Sequence, residues 1–215
     1  EPAAVQARLA RYLGEGLAAE LVSGRARDAE IFLAASQLAG TRYAISTYLP
    51  RRLVARQLAA AGEGPWLEWV DGALLFADVS GSTALAERLT ALGREGTEVV
   101  TETLNRYFDT MIRIIEEARG DLLTFGGDAL LVLFDGPDPA RAATATALAL
   151  LRELAGFTRE VPGIGTFPLT MHIGVEAGPV ALVSAGHPQA LRYSAMGQTV
   201  RDVARAEGHG GRGEL

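Results

Sequence analysis

The stretch Phe76-Ala77-Asp78-Val79-Ser80-Gly81-Ser82-Thr83 follows an apolar run, Ala73 to Phe76, and leads into a helix-forming segment. The run reads as a strand and Gly81-Ser82-Thr83 as a helix start, which places Asp78 at a strand end just before a glycine-bearing turn. Fifty positions later the chain reads Thr124-Phe125-Gly126-Gly127-Asp128-Ala129-Leu130-Leu131, and the apolar run from Leu130 to Phe134 reads as a second strand. Two carboxylates brought together at strand ends suit hard cations, which bind through oxygen. The adjoining turn and helix N-terminus offer backbone N–H groups to a polyphosphate.

Outward from Asp78 the pattern alternates. A strand is expected from about Trp69 to Asp78, then helices over Thr83–Leu92 and Thr97–Ala118. In the longer helix Val100, Leu104, Phe108, Met111 and Ile115 form the apolar face, and Gly120 supplies a stop. Asp121 to Phe125 and Ala129 to Phe134 form a tight hairpin with Asp128 near its turn. Asp138-Pro139 caps a helix to about Ala155. Strands near 169–175, 180–184 and 191–195 precede a last helix from Gln198. This order implies an α+β fold, a mixed or antiparallel sheet with helices on one face.

Residues 1–64 read as a helical leader, an interaction or signal-relay segment. Val5, Leu9, Leu13, Leu17 and Leu21 make one apolar stripe, a second helix covers Asp28 to Leu38, and a third follows Pro50. The glycine-bearing stretch Ala61 to Pro65 marks the boundary to a second domain, 65–215.

The 215 residues carry a net charge of −6, with 48% hydrophobic residues and no cysteine. The acidic balance argues against a nucleic-acid partner, disulfide and thiolate chemistry are excluded, and no run is long enough to insert in a bilayer. All 20 basic residues are arginine, so no lysine fills any role. The chain starts without methionine and stops after the glycine-rich Gly208–Gly213, so a longer parent, cytoplasmic in location, is expected.

With its three motifs in order, Phe76–Thr83, Gly127-Asp128 and Tyr193 through Arg205, the chain from about Gly72 onward resembles the class III adenylyl/guanylyl cyclase catalytic domain. The segment Gly197–Val203 looks like the first catalytic domain of soluble, bicarbonate-responsive-type adenylyl cyclases. The resemblance implies a ferredoxin-like fold and conversion of ATP, or GTP, to a 3′,5′-cyclic nucleotide and pyrophosphate. It implies two Mg²⁺ or Mn²⁺ ions held by Asp78, Asp128 and the carbonyl of Val79, and a phosphate cradle at Gly81, Ser82 and Thr83. Arg205 matches the transition-state arginine.

The family's purine-selecting lysine falls at Thr124, its partner at Ser194 and the ribose-orienting asparagine at Arg201. The metal half is kept while the base-reading half is largely replaced. Class III sites form between two cyclase domains, so the expected role is the metal-donating half beside a second cyclase domain, downstream in the same chain or in a dimer mate. The resemblance further implies that the 65–215 domain stops before its last strands and that the fragment alone is weak or inactive. The alternative is a catalytically inactive regulatory domain that binds nucleotide or a small anion. A diguanylate cyclase, suggested by Gly126-Gly127-Asp128, is disfavoured because Ala129-Leu130 stand where that family has glutamate and phenylalanine. His172, alternating with apolar neighbours, reads as structural.

Overall fold

The computed structural model describes residues 2–46, 49–59, 64–161, 164–187 and 190–209. The chain divides into two compact units, 1–50 and 51–215. The first holds α1 (Pro2–Leu13), α2 (Glu15–Val22) and α3 (Asp28–Ser46). The apolar stripe from Val5 to Leu21 is not one helix: Gly14, at φ 79°, breaks it, a conformation open to glycine at no steric cost. Gln37 Nε2 of α3 donates to the Tyr12 carbonyl of α1 at 2.8 Å.

The second unit begins with α4 (Arg51–Ala59), so the boundary read at 64/65 moves back to 50/51. The reason is a buried acid. Asp121, 3% exposed, accepts from the backbone N–H of Arg51 at 2.6 Å and of Arg52 at 3.0 Å, capping α4 from the sheet. Arg52 and Arg56 add ion pairs to Glu68 at 3.3 and 3.6 Å.

There follow β1 (Trp66–Ser80), α5 (Ser82–Thr90), α6 (Arg94–Glu117), β2 (Asp121–Gly126), β3 (Ala129–Phe134) and α7 (Pro139–Glu153). The chain continues through β4 (Thr158–Val161), β5 (Gly165–Pro168), β6 (Thr170–His187), β7 (Ala190–Met196) and α8 (Gln198–His209). Five strands form one antiparallel sheet in the order β2-β3-β1-β6-β7, the α+β arrangement expected. The β4–β5 hairpin is a separate two-stranded piece. The strands expected at 169–175 and 180–184 are one, because β6 pairs with all fifteen residues of β1. Pro179 fits there because β7 starts pairing only at Ala181, so β6 has one neighbour at that point and the missing N–H is tolerated.

Strand alternation sorts the core. Ala73, Leu75, Ala77 and Val79 pack with Leu130, Val132 and Phe134 under the apolar stripes of α5, α6 and α7. The intervening Val70 and Leu74 face the other side, with Leu133, Val180, Leu182 and Val203 of α8. Helices α5, α6 and α7 thus share one face, and α8 covers the opposite one. Leu123 of β2 belongs to that second cluster, and Tyr193 and Ala195 of β7 pack on it, so the sheet curls its edge strands toward one another.

Candidate active site

Register brings the two aspartates together. Asp78 is the cross-strand partner of Ala129, next to Asp128 at the β2–β3 turn, and the Val79 N–H donates to the Asp128 carbonyl at 3.3 Å. Ser82 Oγ, buried at the first position of α5, donates to Asp128 Oδ2 at 2.7 Å. Burial, and next the charge of Asp128, raise the Asp78 carboxyl above the usual carboxylate range, with a smaller opposing effect from His172. Two like charges held this close leave an electrostatic deficit that a divalent cation would offset. Among the described residues no group of three or more His, Cys, Asp or Glu side chains could hold a metal ion. Any cation here would therefore complete its shell with backbone, water or ligand oxygens, as Mg²⁺ commonly does.

The turn is built for close approach. Gly81 has φ 97°, and a Cβ there would lie 2.5 Å from the Pro168 carbonyl oxygen. No side chain caps α5, so its first N–H groups at Ser82 and Thr83 keep their capacity for an anion. Ser82 is buried and Thr83 exposed. Val79 is 2% exposed.

The other expected site residues lie elsewhere. Thr124 is exposed on β2 and Ser194 half-buried on β7, the two sheet edges. Ser194 pairs with Val183, which pairs with Leu67, eleven positions along β1 from Asp78. At about 3.3 Å per residue that is roughly 35 Å of strand. Arg205 is exposed on α8 and paired with Asp202 at 3.3 Å; Arg201, also exposed, bonds Gln198. The structure unites Asp78, Val79, Gly81, Ser82, Thr83 and Asp128, and leaves Ser194 outside that group.

His172, read as structural, is the cross-strand partner of Asp78 on β6. Its Nδ1 lies 3.8 Å from Glu207 Oε1 of α8, and its Nε2 is buried without a hydrogen-bond partner. Nothing in spacing could have paired it with Asp78, since register across 94 residues of chain is a tertiary property.

A family model, the adenylate and guanylate cyclase catalytic domain, matches residues 70–215. The chain belongs to this family. Adenylate cyclase 1 of Rhizobium meliloti strain 1021 is 28% identical over 173 residues, covering 77% of this chain and 25% of that protein. Human adenylate cyclase type 10 is 26% identical over 76% of this chain and 10% of its own length. The crystal structure of the guanylyl cyclase Cya2 superposes with a TM-score of 0.55 at 30% identity, covering 68% of this chain and 73% of the other. The chain thus spans a quarter or less of these two curated relatives, and the solved cyclase domains share its fold. No helix among the described residues is long and apolar enough to cross a membrane.

Proposed function

We propose that this cyclase domain is the metal-donating half of a two-domain site that converts ATP to 3′,5′-cyclic AMP and pyrophosphate. The observation that carries the reading is the Asp78–Asp128 pair, locked by register and by Ser82 beside the open start of α5. The donor set fits Mg²⁺ or Mn²⁺: two carboxylates and the Val79 carbonyl are hard oxygens, and burial already disfavours the charged form of Asp78 without a cation. Bound there, two such ions would lower the pKa of the ribose 3′-hydroxyl and offset the charge of the triphosphate.

The chain's own groups supply the rest. Ser82 fixes the Asp128 carboxylate, and the N–H groups of Ser82 and Thr83 at the uncapped start of α5 receive terminal phosphate oxygens. The 3′-hydroxyl gives up its proton to water, its oxygen forms a bond to the α-phosphorus, the bond from that phosphorus to the bridging oxygen breaks, and pyrophosphate leaves. Arg205 would place positive charge near a phosphoryl group when a partner domain covers α8.

Completion of the site from a second cyclase domain is supported by the placement of Ser194, far along β1 from the metal end, and by Thr124 and Ser194 standing where the resemblance calls for purine-reading groups. ATP is favoured over GTP by the adenylate cyclases among the curated relatives, and the cytoplasm is the matching compartment. The same Thr124 and Ser194 favour the second reading, a regulatory domain that binds nucleotide and controls a partner.

The test is Mn²⁺-dependent product formation from ATP and from GTP by the native protein containing this chain, beside its Asp78→Ala variant. Loss of at least about 100-fold in the variant is expected. Activity indifferent to Asp78→Ala would move the assignment to the regulatory reading.

A further inference from the structure

The hairpin that carries Asp128 is held at its root by α4. At the start of β2 the buried Asp121 carboxylate takes the first two N–H groups of α4, and the Arg51 guanidinium bonds the carbonyl of Arg119. Arg119 is the only non-glycine residue with positive φ among those described, at 61°, so the grip falls on a strained link. Immediately after β3 ends, Asp135 meets Arg52 at 3.2 Å. The same Arg52 reaches Glu68 on β1, the strand that ends in Asp78. One short helix therefore ties both ends of the hairpin root to the strand bearing the other aspartate.

We propose that α4 is a clamp that sets the position of Asp128 against Asp78, with Asp121 and Arg52 as positioning residues for the metal pair. The proposal rests on the cyclase reading above. Its physical basis is leverage. The six residues of β2 span about 20 Å from root to tip, so a few degrees of twist at the root moves the tip by about 1 Å. A shift of that size is enough to cost of the order of 100-fold in a catalytic constellation. The seam is also able to yield. Arg52 Nε, Trp66 Nε1 and Tyr193 OH are buried there without hydrogen-bond partners, so ion pairs and the 4.4 Å stacking of Arg56 on Trp66 hold it rather than a complete polar network. Because α4 is the first element after residue 50, any displacement delivered through the preceding chain arrives at this clamp first.

The test uses the whole 215-residue chain and its Arg52→Gln and Asp121→Asn variants, with Arg94→Gln, which loses only a solvent-exposed pair with Glu98, as control. Hydrogen exchange is read at residues 126–129, and Mn²⁺ binding by the resonance signal of the free ion. Both seam variants are expected to speed exchange at the hairpin tip and weaken Mn²⁺ binding by about 10-fold, with the control unchanged. Arg52→Gln, at a partly exposed side chain, keeps the test open if Asp121→Asn does not fold. Faster exchange confined to α4, with the tip and Mn²⁺ binding unaltered, would overturn the clamp. If the unaltered chain binds no Mn²⁺, the metal reading has failed instead, and tip exchange alone judges the clamp.

Discussion

Asp78 pays for its position in stability. Burial and Asp128 raise its proton affinity in the folded protein above that in the unfolded chain. The folded state then binds more protons between the two values, so metal-free stability falls as pH rises through that window, and the deficit is fully present above the folded value. Asp78→Asn should therefore raise the melting temperature of the metal-free protein at neutral pH and flatten this dependence, while abolishing Mn²⁺-dependent activity. Thermal melts from pH 4 to 8 in chelator check both; equal slopes for the two proteins would refute it. Gly81 is constrained differently. Left-handed φ and the Pro168 carbonyl each exclude a side chain, so Gly81→Ala should lose about 2–4 kcal/mol in urea titrations, a large share of the stability of such a domain.

At the scale of elements, α8 rests on β6 through one missing side chain. A Cβ on Gly174 would lie 2.4 Å from the Val203 carbonyl oxygen and 2.5 Å from the Glu207 nitrogen, both backbone atoms. Gly174→Ala should cost about 1–3 kcal/mol and speed amide exchange throughout α8 before any other helix. Such contacts mark the limit of what the chain discloses by itself. The β2–β3 hairpin, α5 to α8 and both aspartates were legible because apolar period, capping residues and glycine turns are local signals. The unbroken β6 was not, since Ala177-Gly178-Pro179 imitates a turn and only the pairing with β1 overrides it. The β4–β5 hairpin escaped because its strands are four residues each and carry a single apolar side chain in Thr158–Val161 and a single aromatic one in Gly165–Pro168, too few for a period to show. The break in the leader escaped because leucine spacing runs straight across Gly14. His172 beside Asp78 and Asp121 beneath α4 depend on register and packing, which no local pattern encodes.

For the whole molecule, the position of α4 decides where the chain can be divided. A fragment starting at Pro65, the boundary that composition suggests, would leave the buried Asp121 without its two N–H partners and without the Arg51 side chain. Removing one partner of a buried charge typically costs about 3–5 kcal/mol, so this fragment should melt well below one starting at Leu49. Calorimetry of the two fragments side by side checks it, and equal melting temperatures would show that α4 contributes nothing. The long ladder of β1 with β6 has a mechanical consequence. Trp66 is rung to Ser184 at the same end where β1 is entered and β6 is left, so tension applied through the flanking chain peels the pair instead of shearing it. Rungs would open one at a time from Trp66 inward, and the rung of Asp78 with His172 would be among the last. A load that reaches this ladder through the residues just before β1 and just after β6 therefore spends itself at the end far from the carboxylates.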